Sequence, residues 1–297
     1  MARVGMRAAK FEMMKTGGQE SAERQPRGRT VKLNTQDRRA HRIVTRALAA
    51  AGIAWMLAFS CASGAHAADE THFQKTVPLA AGGSFQLDNV NGSVRVEGWD
   101  REEVEVSAVK VAKDESSDLS QVQIDMESKP GTVAVRTLYA KGQGAEVAVE
   151  YHIHVPYRVL LGSVNTVNGS VIVKGVEGGG ALKTVNGNVE VFDSAGRFSE
   201  KTTNGNLRLE LSKVIDGAPM KLETVNGSVI LGLPQDVKAN VDALSMNGEL
   251  YSEFPTKAKA HPVTAHSFNG KLGTGGGAIS VKTVNGGIRL VVQHPAV

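Results

Sequence analysis

Apolar and polar residues alternate in short segments along much of the chain, as in VEVSAVKVA (104–112), VQIDMES (122–128), TVAVRTLY (132–139) and AEVAVEYHIHV (145–155). A two-residue period puts one set of side chains on each face of a strand. These segments therefore predict half-buried strands, with no convincing helix between them. Further on, the alternation breaks at a recurring dipeptide. Asn-Gly occurs at Asn91-Gly92, Asn168-Gly169, Asn186-Gly187, Asn204-Gly205, Asn226-Gly227, Asn247-Gly248, Asn269-Gly270 and Asn285-Gly286. From Gly169 onward the glycines stand 18, 18, 22, 21, 22 and 16 residues apart, a repeat with a period near 20.

The flanks repeat as well. From Gly169 onward, a hydroxyl stands three residues before each glycine: Thr166, Thr184, Thr202, Thr224, Ser245, Ser267 and Thr283. Two residues after it come Val171, Val189, Leu207, Val229, Leu250, Leu272 and Ile288, and four after it Val173, Val191, Leu209, Leu231, Ser252, Thr274 and Leu290. Those two rows share one apolar face of a strand. The row between them, Ile172, Glu190, Arg208, Ile230, Tyr251, Gly273 and Arg289, has no common chemistry, as expected of a solvent-facing row. Two residues before the glycine, Val167, Val185, Val225, Met246, Phe268 and Val284 do not fit simple alternation. The expectation is that the corner turns them into the core; the alternative is an exposed apolar stripe that a partner covers.

A meander of hairpins and a β-solenoid both fit strand, Asn-Gly, strand. In a meander with type I′ turns, Lys183 would face Glu190 favourably, but Lys201 would face Arg208, so cross-strand charge is indecisive. In a solenoid, identical positions stack about 4.8 Å apart and each Asn or hydroxyl can hydrogen-bond its copy in the next rung, which accounts for the identity of the repeated residues. The expected fold is all-β: a β-helix-like solenoid of about seven short rungs over 161–292. A strand-rich lead-in (68–160) contains one early rung at Asn91 and covers the first edge; in the tail (293–297), Pro295 discourages further pairing.

The N-terminus changes the electrostatic picture. Residues 47–60, ALAAAGIAWMLAFS, follow Arg38, Arg39, Arg42 and Arg46 and precede Ala65-His66-Ala67. This is the grammar of a signal peptide cleaved after Ala67, with residues 1–67 forming the peptide and its long basic n-region. A start at Met13 or Met14 would shorten that region. The whole-chain charge is +4, but residues 1–67 carry 12 Lys and Arg against 4 Asp and Glu, leaving 22 against 26 for residues 68–297. The mature chain is mildly acidic, and no basic block with interleaved aromatics points to nucleic acid. The single cysteine, Cys61, lies in the signal segment, so the mature chain has no disulfide. Lipidation at Cys61 is the lesser alternative, because Phe59 fits a lipid-attachment box poorly. No transmembrane segment is expected after cleavage.

The order of these pieces resembles the bacterial putative-adhesin family, a domain of unknown function with β-strand repeats. The resemblance rests on Val90-Asn91-Gly92 leading to Val96-Glu97-Gly98-Trp99-Asp100, on Val155-Pro156, the Thr-x-Asn-Gly units, Leu233-Pro234, and the closing Lys282-Thr283-Val284-Asn285-Gly286-Gly287-Ile288-Arg289-Leu290. It implies a β-helix-like fold outside the cytoplasm, periplasmic or extracellular, and carries over no functional residues.

Catalytic chemistry finds little support. Glu190 and Arg208 would stack in adjacent rungs, but Ile172 and Ile230 flank them, as in surface dressing rather than an active site. His152 and His154 share one side of a strand without an evident third zinc ligand, and read as surface histidines. GVEGGGA (175–181) and GTGGGA (273–278) lack the Gly-Lys-Ser/Thr ending of a phosphate loop and read as turns. Ser163 has no paired His and acid. The expected role is a non-catalytic envelope binding or structural protein acting on a glycan or protein, with no cofactor, no metal and no catalytic residue; the Asn-Gly pairs are structural turns. The alternatives are a carbohydrate-active β-helix enzyme and a homotypic assembly protein.

Overall fold

The computed structural model describes residues 70–114, 117–140, 147–215, 219–254 and 263–293. The expectations for residues 1–67, Cys61, the cleavage after Ala67 and Pro295 concern residues outside these. Among the described residues, no helix is long and apolar enough to cross a membrane.

Strand β1 (Glu70–Pro78) is followed by β2 (Ser84–Asp88), β3 (Val94–Trp99), β4 (Glu103–Ala112), β5 (Val122–Lys129), β6 (Thr132–Tyr139) and β7 (Val147–Pro156). The repeats then supply strand pairs: β8 (Leu160–Asn165) and β9 (Val171–Lys174), β10 (Gly180–Lys183) and β11 (Val189–Gly196), β12 (Phe198–Lys201) and β13 (Leu207–Val214), β14 (Met220–Asn226) and β15 (Val229–Pro234), β16 (Ala239–Asn247) and β17 (Leu250–Ser252). Last come β18 (Val263–Ala265), β19 (Ser267–Leu272), β20 (Gly277–Asn285) and β21 (Ile288–Gln293). Two long sheets result, in the orders β1-β4-β7-β3-β9-β11-β13-β15-β21-β17-β18 and β19-β16-β20-β14-β12-β10-β8-β2-β6-β5. Each coil gives one strand to each sheet, and neighbouring coils pair in parallel. This is the β-solenoid read from the repeat.

The core lies between the sheets. Leaving out Gly270, the rows two and four residues after each glycine are fully buried from Val94 and Val96 to Ile288 and Leu290. From the second sheet, Leu87, Val164, Leu182, Leu222, Val281 and Ala243 face them. One residue breaks that row: Glu200, between Leu182 and Leu222, is 2% exposed. Antiparallel strands close the coil ends, β4 and β1 outside β7, β5 outside β6, and β18 and β19 outside β17 and β16.

Two expectations need correction. The coils do not stack in chain order, because β20–β21 inserts between β14–β15 and β16–β17. The cause is β19, which folds back antiparallel on the outer edge of β16, so the returning chain pairs along the other edge. Asn269-Gly270 is accordingly no corner. Asn269 lies inside β19 opposite Asp242, with Ser267 exposed and Phe268 buried in the cap.

Candidate binding edge

The remaining seven Asn-Gly pairs line one edge of the stack. Each amide Nδ2 donates to the Oδ1 of the neighbouring copy: Asn168 to Asn91, Asn186 to Asn168, Asn204 to Asn186, Asn226 to Asn204 and Asn285 to Asn226, all at 2.8 Å, and Asn247 to Asn285 at 2.9 Å. An amide has both a donor and an acceptor, so one residue type can propagate the chain indefinitely.

Beneath this ladder the hydroxyls behave differently from the expectation. They do not bond their own copies. Thr166, Thr184, Thr202, Thr224, Thr283 and Ser245 donate to the carbonyls of Gly92, Gly169, Gly187, Gly205, Gly227 and Gly286, at 2.8–3.0 Å. Each hydroxyl is buried and satisfies a carbonyl of the next coil. In the first coil Asn89 takes this place, its Nδ2 donating to the carbonyls of Asn91, Gly92 and Val149. Its Oδ1 accepts from Thr137, which also bonds the Tyr151 hydroxyl at 2.7 Å; burial pushes that phenol up to about 12.

The sequence reading missed a second polar row, directly after the glycine. Ser93, Ser170, Asn188, Asn206 and Ser228 each accept from the backbone N–H one coil along, at 2.8–3.4 Å. Small polar residues recurring at that position were the available signal.

The row two before the glycine is a further correction: apart from Phe268 in the cap, it is not core. Val167 is 38% exposed, Val225 41% and Met246 65%, with Val185 and Val284 half-buried. The corner carbonyls of Val90, Val167 and Val185 are occupied by the next coil's Asn N–H, which points these side chains outward. Val225, Val284, Met246 and Leu244 line a shallow groove of about 250 Å³ flanked by Lys201, Glu223 and Lys282. Hydrogen bonds from Lys221 and Lys201 hold the Glu223 carboxyl below its usual range.

The outer face of the first sheet carries the charged residues and histidines singled out in the sequence. Glu190 and Arg208 are in register, but Arg208 pairs with Glu210 at 2.6 Å. Strand pairing also gathers residues far apart in sequence: Glu97 of β3 and Glu105 of β4 both lie opposite His154 of β7, with His152 alongside. His154 separates the two carboxylates, with Nε2 3.8 Å from Glu97 and Nδ1 3.7 Å from Glu105.

A protein-family comparison matches residues 10–291 to Toastrack DUF4097. No curated protein matches. Among solved structures, the chain is similar to a putative cell adhesion protein from Clostridium sporogenes, at 11% identity and a TM-score of 0.41, covering 76% of this chain and 100% of that one. It is also similar to a putative adhesin from Bacteroides fragilis, at 10% identity and a TM-score of 0.36, covering 75% and 97%. A third, a putative lipid binding protein from Parabacteroides distasonis, shares 14% identity at a TM-score of 0.32, covering 75% and 98%.

Proposed function

We propose, on the premise that the chain belongs to the Toastrack DUF4097 family, that it is an exported, non-catalytic binding module of the cell envelope whose contact surface is the Asn-Gly edge. Export rests on the basic and apolar signal segment ending at Ala67, which leaves residues 68–297 as the mature chain. The observation that carries the binding role is the outward apolar row, exposed on a backbone fixed by an amide ladder on one side and buried hydroxyls beneath. Such a row costs water contact unless something covers it, and a rigid edge loses little entropy when it is covered. At Val225, Val284 and Met246 the row opens into an apolar groove, and lysines beside it favour an envelope protein or glycan with anionic groups.

The test is retention of the purified chain on envelope fractions from which it has been stripped. The double variant Val225→Glu with Met246→Glu is expected to lower retention about tenfold. Its melting temperature should stay within about 2 °C, since both side chains face solvent. Retention equal to the wild type would remove this edge as the contact surface. Concentration-dependent dimerisation that the variant abolishes would replace an envelope ligand with a second copy of the chain.

A further inference from the structure

We infer that Glu97, His152 and His154 form a binding site for a divalent transition-metal ion of the zinc type. The three side chains project from the same outer face because β3 and β7 run parallel in register, Arg95 beside His152 and Glu97 beside His154. Glu97 Oε2 lies 3.6 Å from His152 Nε2 and 3.8 Å from His154 Nε2, and one ligand atom from each of the three residues falls within 4.8 Å of the others. Tetrahedral zinc, at about 2.0–2.2 Å from nitrogen and oxygen ligands, holds them roughly 3.3–3.5 Å apart. The observed separations need only a small rotation of side chains that are 28–48% exposed and can reach an ion in solvent.

The surroundings favour the same reading. His154 Nδ1 is buried without a hydrogen-bond partner among the described residues and faces Glu105 Oε1 at 3.7 Å. A proton on that nitrogen, oriented by Glu105, leaves the Nε2 lone pair aimed at the site, the carboxylate–histidine–metal arrangement of many zinc centres. Trp99 stacks on the His154 ring, centroids 5.0 Å apart and planes 16° apart, and so limits its rotation. Arg95 approaches the other oxygen of Glu97, Oε1, at 3.5 Å and leaves Oε2 to the imidazoles. Two imidazoles and one carboxylate suit zinc, nickel and copper and do not suit calcium or magnesium. Three protein ligands leave an outward position for water or for a donor from another molecule.

The probe is the metal alone, added to tag-free, chelator-treated protein. Titration calorimetry with zinc chloride is expected to show one equivalent bound with micromolar affinity, and cobalt chloride to give the visible absorption of a four-coordinate nitrogen and oxygen site. His152→Ala with His154→Ala should abolish both signals, Glu97→Gln should weaken zinc at least tenfold, and Glu105→Gln about tenfold through orientation. His266→Ala, on a ring bonded to the Gly248 carbonyl, should change neither. Far-UV circular dichroism verifies that each variant keeps its strands; if the double variant unfolds, Glu97→Gln decides alone. Absence of heat and of a cobalt spectrum at large metal excess overturns the site, as does binding that survives loss of the ligands.

Discussion

Replacing Gly205 by alanine is expected to destabilise the chain by about 3 kcal/mol or more, a large effect for one methyl group. The backbone at this corner needs no left-handed conformation, so the usual reason for a turn glycine does not apply. The reason is the neighbouring coil. A Cβ on Gly205 would stand 1.9 Å from the Gly187 carbonyl oxygen, and one on Gly227 the same distance from the Gly205 oxygen. The Gly187 oxygen also accepts the buried Thr202 hydroxyl, so it cannot move aside without orphaning a donor. The row continues through Gly169, Gly187 and Gly286, where the intruding contact would be 2.0–2.1 Å. Urea unfolding of Gly205→Ala against Gly287→Ala measures it, because the nearest atom to a Cβ on Gly287 is the Glu249 oxygen at 3.1 Å. Equal and small effects at both positions would mean that the coils stack less closely than described.

Glu200→Leu is expected to stabilise the chain by about 2 kcal/mol near neutral pH. Both carboxyl oxygens of Glu200 are buried with no hydrogen-bond partner among the described residues, in a row otherwise made of Leu87, Val164, Leu182, Leu222, Val281 and Ala243. Burial raises its pKa well above the ordinary range of a glutamate, so the folded chain holds a proton that the unfolded chain releases. The sign of the pH dependence follows. Below the unfolded pKa the carboxyl is neutral in both states and its ionisation has no cost. As pH rises above about 4.5 the unfolded state loses the proton first, and stability falls until the folded-state pKa is passed. Leucine removes this slope. Melting temperatures of wild type and variant from pH 4 to 8 should therefore diverge as pH rises, the variant being higher. A gap that narrows with rising pH would show that Glu200 is ionised and paired in the folded state.

The repeat made most of the coil legible. The apolar rows after each glycine gave the first sheet's core, and the recurring Asn gave the ladder, because identical stacked residues leave a period in the sequence. The glycine row was legible as turns but not as a steric requirement, which arises only between coils. Coil order was not legible: Asn226, Asn247 and Asn285 are locally interchangeable, and the choice among them is made by the pairing of β19 on β16. A hint existed at Asn269, where Thr274 stands four residues after the glycine, in a row that is apolar in most coils. Glu200 stood in view five residues before Gly205, at a position that is apolar in every other coil. The site at His152 and His154 was half legible, since its third ligand, Glu97, arrives through strand pairing and leaves no local spacing to read.

The central structural claim is that one continuous edge runs through Asn91, Asn168, Asn186, Asn204, Asn226, Asn285 and Asn247 in that spatial order. Disulfide trapping tests it directly in a Cys61→Ser background, where every thiol is an introduced one. Adjacent parallel strands lie about 4.8 Å apart, within disulfide reach, whereas strands two coils apart are near 9.6 Å and out of reach. Val225→Cys with Val284→Cys is therefore expected to form an intramolecular disulfide on mild oxidation, and Val225→Cys with Met246→Cys to retain two free thiols. The reverse outcome, with 225 joined to 246 and not to 284, would mean that the coils stack in chain order and that the groove at Val225, Val284 and Met246 does not exist.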